Sequence, residues 1–213
     1  MRWPWHRQGA DAQAKVRGQV QAAAVRLAGD LFTTSGEDTV LVTSVHSDAA
    51  AALVAECLAD AVRHLDGQSP LLCDLRGQVD EAAAIVAMPD RPAVEMMVPP
   101  RDAGGNRKRT LELLAANARL YPRRIYLCGP VLDPASPMQD PLAWGPLGKR
   151  VIVVCSEGIV SDDEMRQAAE RLRRGGFTIV GGVLVAGQQR HGAVAPGRPH
   201  RTMASLKAAG GAA

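Results

Sequence analysis

Apolar positions along this chain switch between a two-residue and a 3.6-residue period, and the switches mark out its elements. Thr39 to Thr43 (T-V-L-V-T) is a β-branched run of strand length. After a short polar turn, Ala50, Leu53, Val54, Cys57, Leu58, Ala61, Val62 and Leu65 recur at helical spacing until Gly67 stops them. Leu71 to Cys73 then begins a second strand. This strand, helix, strand unit has the length expected for parallel strands joined by a right-handed crossover. Ahead of it, Val16, Val20, Ala23, Ala24, Leu27 and Leu31 form one apolar stripe on an Ala-rich helix from Ala10 to Leu31. Beyond it, the pattern predicts a short helix over Val79 to Ala87 with a proline-bounded exit. Ser161 and Glu164 make a capping box, with Met165, Ala168, Ala169 and Leu172 as the buried stripe behind it. Arg171, Arg173 and Arg174 oppose the negative end of that helix, and Gly175-Gly176 ends it. Phe177 to Val185 is the closing strand.

The turn between the first strand and its helix is where such units hold a nucleotide phosphate, because backbone N–H groups and the positive helix end face an anion there. A working phosphate loop needs glycines to turn amides inward, a lysine to reach the outer phosphates, and a Ser or Thr for magnesium. Here the corresponding positions are Ser47, Asp48, Ala49, Ala50, Ala51 and Ala52, so none of these groups stands where it is needed. Asp48, with Ser47 beside it, predicts an N-cap whose carboxylate satisfies the amides that a phosphate would take.

Asp74 ends the second strand, at the carboxyl edge where α/β sites are built. Without a lysine or a second acid it reads as a residual acid that caps the loop. His46 would lie near Asp74 if the first two strands were neighbours, and it is the one residue placed for proton transfer. A solvent-facing loop histidine is the preferred reading. The chain has no G-x-S-x-G turn and no His/Cys cluster, which removes a hydrolase triad and a zinc site. The expectation is therefore no catalytic residue, no metal, and a remnant pocket of Ser47, Asp48, Ala50, Ala51, Ala52 and Asp74.

Composition narrows the class. A length of 213 residues suits one α/β domain with a terminal extension, which buries about 70% of its unfolded surface. With 46% hydrophobic but only 3% aromatic residues, the core must be built from Ala, Val, Leu and Ile. The net charge of +3 gives no strong pull toward nucleic acid, which is not expected as a partner. Cys57, Cys73, Cys128 and Cys155 include no C-x-x-C pair and read as buried reduced thiols. No apolar run reaches the roughly 18 residues of a membrane span. A cytosolic protein is expected, with peripheral contact at the inner face of the membrane through Trp3 and Trp5 as a minority reading. Gly104 to Arg109 (G-G-N-R-K-R) reads as a solvated turn more readily than an anion nest.

Several motifs together resemble a known family. Thr43-Ser44, then eight residues, then L-x-x-x-C-L-A from Leu53 to Ala59, then Leu71 to Asp74, are similar to the cytoplasmic P-loop domain of bacterial exopolysaccharide tyrosine kinases, kin to deviant-Walker ATPases of the MinD and ParA type. In that family T-S-A-x-P-G-x-G-K-S leads into the helix, so Ala51 stands at the lysine position and Asp74 matches an acid that helps hold magnesium. Val94 to Pro99, Asn106 and Leu111 to Leu120 resemble its next strand, turn and helix. Tyr121 to Pro130 resembles its Y-D-x-V-I-I-D-T-P-P strand, with Leu127 replacing the acid, and Met138-Gln139-Asp140 sits where a Ser-Asp commonly follows. Val151 to Cys155 and Gly181 to Val185 parallel its last strands, with Val185 replacing a base-contacting Asn. The family's E-x-x-R-x-x-R helix, which forms subunit rings, is not reproduced by Ala14, Arg17 and Val20, and the tail has no tyrosine cluster.

The resemblance implies a three-layer α/β, P-loop NTPase-like fold with a mainly parallel sheet and helices on both faces. The expected organisation is an N-terminal arm and helix (1–38), the degenerate domain (39–186) and a flexible basic tail (187–213). The implied function is a non-catalytic regulatory or scaffold subunit of exopolysaccharide or capsule biosynthesis and export, with no cofactor. It would dock on a polysaccharide co-polymerase or an active kinase homologue, and a homo-oligomer is a further option. One alternative keeps ATP and magnesium through unorthodox groups such as Arg76 or the Gly104 turn. Another is a MinD-like positioning protein that uses Trp3, Trp5 and the basic tail at a membrane.

Overall fold

The computed structural model describes residues 10–33, 39–46, 50–76, 85–88, 91–97, 107–118 and 120–185. Its helices are α1 (Ala10–Thr33), α2 (Ala50–Asp66), α3 (Arg107–Ala118) and α4 (Asp162–Arg174). Its strands are β1 (Thr39–Ser44), β2 (Leu71–Asp74), β3 (Ile85–Met88), β4 (Arg91–Met97), β5 (Arg124–Leu127), β6 (Arg150–Ser156) and β7 (Thr178–Val185). A 3₁₀ turn, Pro141–Trp144, precedes β6.

The strands form a seven-stranded sheet in the order β3-β4-β2-β5-β1-β6-β7. Every neighbouring pair is parallel except β3 with β4. β1 and β6 are buried along their whole length, which is why they read as continuous apolar runs with no alternation. One face of the sheet (Val40, Val42, Leu72, Ile125, Ile152, Val154, Val183) packs against α1 and α2. The other (Leu41, Leu71, Tyr126, Val151, Val153) packs against α3, α4 and the fully buried Trp144. The expected layers, helices on both sides of a mainly parallel sheet, are the observed ones.

Small side chains let α2 lie close on the sheet. Ala55, Cys57, Ala59 and Ala61 are all inaccessible, as an Ala-rich core requires. Gly67 stops α2 at a positive φ of 70°, and its N–H donates to the Arg63 carbonyl at 2.8 Å. Leu65, on the predicted apolar stripe, is instead 47% exposed in the last turn. Cys57, Cys73, Cys128 and Cys155 are free and buried. At the amino edge of the sheet the buried Arg150 donates to the Leu31 carbonyl at 2.9 Å, satisfying one of the orphan acceptors at the end of α1.

Two expectations are corrected. Ile85 to Ala87, predicted at the end of a helix over Val79 to Ala87, belong to β3, which pairs antiparallel with β4. Ile-Val favours a strand once a partner edge is available, and β4 supplies it from Arg91, three residues before the expected start. The second correction concerns β1 and β2. They are parallel but not neighbours, because β5 lies between them and pairs with both. None of the described helices is long and apolar enough to cross a membrane.

Candidate functional site

The carboxyl ends of β1, β2 and β5 converge, and main-chain hydrogen bonds carry the strand pairing into their exit loops. Cys128, Val131 and Leu132 donate to the carbonyls of Val42, Ser44 and Val45 at 2.8, 2.8 and 3.0 Å. Thr43 Oγ1 donates to the Gly129 carbonyl at 2.6 Å. Gly129 in turn donates to the Gln139 carbonyl at 2.9 Å. A Cβ at position 129 would lie 2.6 Å from that same oxygen, so the close approach requires glycine. Gln139 Nε2 reaches across to the Arg76 carbonyl at 3.0 Å, which ties the exit of β5 to the exit of β2.

Asp74 ends β2 as expected, but its carboxylate is fully engaged within two residues of chain. The Arg76 N–H donates to Oδ1 at 3.0 Å, Arg76 Nε to Oδ1 at 2.9 Å, and Arg76 Nη2 to Oδ2 at 2.8 Å. This is a side-chain turn closed by a bidentate guanidinium, with side chains only 17% and 23% exposed. The sequence weighed Arg76 only as an unorthodox nucleotide group. The D-x-R spacing at a strand end is the signal that could have found the pair.

Ala50, Ala51 and Ala52 form the first turn of α2. Ala50 and Ala51 are 6% and 1% exposed and belong to the apolar cluster between α2, α1 and the sheet, while Ala52 is half-buried. The methyl groups of Ala50 and Ala51, which the sequence resemblance sets against a glycine and a lysine, are thus core atoms. Ser47 and Asp48, and with them the expected N-cap, lie outside the described residues, as do Trp3, Trp5 and the basic tail; of the turn expected over Gly104 to Arg109, Arg107 to Arg109 instead open α3 and the rest lies outside the described residues.

The expected neighbourhood of His46 and Asp74 is not formed, since β5 separates their strands. His46 stands instead between two other carboxylates. Nδ1 lies 3.3 Å from Asp133 Oδ1, and Nε2 lies 3.2 Å from Glu164 Oε1. Glu164 closes the capping box of α4: its Oε2 accepts from the Ser161 N–H at 2.8 Å, and the Ser161 hydroxyl accepts from the Glu164 N–H at 3.3 Å. The Ser161 N–H and the Ser161 hydroxyl, which also donates to Oε2 at 2.7 Å, with a smaller contribution from His46, hold the Glu164 carboxyl below its ordinary range. The two acids approach opposite ring nitrogens, so the trio cannot converge on one metal ion. Among the described residues no cluster of His, Cys, Asp and Glu could hold a metal.

Asp140, in the predicted Met138-Gln139-Asp140 stretch, caps the 3₁₀ turn through the Leu142 N–H at 3.0 Å and pairs with Arg171 of α4. On α2, burial pushes the Glu56 and Asp60 carboxyls above their ordinary values, with Arg17 of α1 opposing the shift. Burial also raises the thiols of Cys57, Cys73 and Cys128, Cys57 to about 12, which removes these three as nucleophiles at neutral pH.

No family model and no curated protein matches the chain. Solved structures do match. The VpsO kinase domain superposes with a TM-score of 0.68 at 15% identity, over 84% of this chain and 100% of that one. The kinase domain of the Escherichia coli tyrosine kinase ETK gives 0.65 at 17% identity, over 86% and 80%. The BceF tyrosine kinase domain gives 0.55 at 17% identity, over 81% and 76%. At these identities the likeness is one of fold, and it is the fold that the sequence resemblance implies.

Proposed function

We propose that this chain is a non-catalytic regulatory or scaffold subunit of exopolysaccharide or capsule-type polysaccharide biosynthesis and export, built on a tyrosine kinase-like fold whose nucleotide site has been given up. The observation that carries this reading is the Asp74–Arg76 pair. The strand-end acid that would help hold magnesium already has both oxygens on a guanidinium delivered by its own chain.

The donor set does not fit a magnesium nucleotide. Ala51 brings no cation to the outer phosphates, Ala52 brings no hydroxyl to the metal, and Asp74 would have to release Arg76 before it could ligate. Losing one charged partner in a binding site costs about 2 to 5 kcal/mol, and here several are missing at once. With the site closed from within, what remains for selection to act on is surface. The partner is a polysaccharide co-polymerase or an active kinase homologue, and the place of action is the cytoplasmic side of the membrane.

Equilibrium binding with labelled ATP and magnesium is the test. No saturable binding is expected, and micromolar affinity would overturn the reading. A pull-down of the chain against the cytoplasmic segment of a co-polymerase separates a docking role from a chain without partners.

A further inference from the structure

β7 lies at the edge of the sheet, and among the described residues it pairs only with β6. Its eight residues (T-I-V-G-G-V-L-V) carry no charge and no proline, the usual guards of an exposed edge. The first part is guarded in another way. The register slips between Val151↔Ile179 and Ile152↔Gly181, so Val180 is an extra residue and the strand bulges there. From Gly181 to Val185 the ladder is regular. The Val185 carbonyl accepts from the Glu157 N–H at 2.9 Å and so turns toward β6. By the alternation of a strand, Gly181 and Val183 turn the same way, while Gly182 and Leu184 turn their main chains to the open edge. Leu184 is also 70% exposed.

We infer that this edge pairs with a second copy of the chain, β7 antiparallel to β7 about a two-fold axis at Val183, which joins the two sheets into one. A two-fold axis normal to the sheet sets residues on the same face opposite each other. Leu184 of one copy then faces Gly182 of the other, twice over, and these are the residues with outward main chains. The exposed leucine finds a site with no side chain, and Val183 meets Val183 on the other face. The same axis brings the two copies of α4 side by side and antiparallel. Ala168 and Leu172 seat α4 over β6 and β7 together with Val151, Val153 and Ile179. The two helices therefore lie about 10 Å apart, a usual packing distance. Their charges match: Asp162 and Asp163 open α4, Arg173 and Arg174 close it, and all four are exposed. Each acidic start lies beside the other copy's basic end.

Sedimentation velocity of the full chain over a concentration series tests this contact without reference to the nucleotide question. A monomer–dimer equilibrium that weakens with salt is expected. Gly182→Pro removes an outward N–H that β6 does not use, a change edges tolerate, and should weaken dimerisation about tenfold or more with unchanged circular dichroism. Should that variant misfold, charge reversal decides. Arg173→Glu with Arg174→Glu should weaken the dimer, and adding Asp162→Lys with Asp163→Lys should restore it. A monomer at every concentration, as when another segment of the chain takes the edge, overturns the inference. So does a dimer indifferent to both sets of substitutions.

Discussion

The Gln139 side chain donates to the Arg76 carbonyl at 3.0 Å, and so fixes the backbone of the residue whose guanidinium covers Asp74. The ion pair on the strand-end acid is therefore held from the β5 exit loop as well as from its own turn. An arginine anchored in this way needs no ligand to order it.

Breaking that pair should cost stability and nothing else. Asp74→Asn, Arg76→Ala and the double variant form a cycle whose coupling is expected at about 1 to 2 kcal/mol for a half-buried, charge-assisted contact. Urea unfolding measures it. Additive losses would mean that the pair is idle.

A lysine placed at position 51 should not create a nucleotide site. Ala51 is 1% exposed within the core, so Ala51→Lys is expected to lose about 2 kcal/mol or more through overpacking and an unpaired buried charge. The midpoint of urea unfolding reports the loss. A variant as stable as the parent, with new ATP affinity, would show that the cradle had kept its shape.

Gly129→Ala tests how tightly the exit loops are stitched. Its Cβ would meet the Gln139 carbonyl at 2.6 Å and the Gln139 Cβ at 2.7 Å. Backbone cannot swing aside as a long side chain can, so a loss of about 1 to 3 kcal/mol is expected. Thermal unfolding of the two proteins side by side measures it.

The acid limb of stability should pass through Glu164. Its folded-state value is lowered from an ordinary 4.5 by Ser161 and His46. The stabilisation is thus present above the ordinary value and lost as pH falls through the folded one. Glu164→Gln should flatten the dependence of melting temperature on pH below about 4.5; an unchanged slope would remove the capping box from the account.

Glu56 has the opposite sign. Burial raises its folded-state value from 4.5, so its contribution is intact below the ordinary value and lost as pH rises through the folded one. Glu56→Gln should therefore stabilise the protein at neutral pH and make no difference in acid. Melting temperatures at the two pH values decide it.

The sequence by itself determined the elements whose reasons are local. Ser161 and Glu164 cap α4 because three residues bring one side chain to the other's amide, and Gly67 ends α2 because it alone takes a left-handed turn without strain. The β-branched apolar run from Thr39 to Thr43 marked β1 as a strand, and the run of alanines from Ala49 to Ala52 could be read directly. What only the tertiary structure decided is which of these pieces meet. Nothing near Ile85 shows that β4 will offer it an edge, and nothing near His46 shows that β5 will displace Asp74 and bring Asp133 and Glu164 in its place. Local preference is fixed by a few bonds of chain. Strand order is fixed by how all the apolar faces are covered at once, and it sets which charges become neighbours.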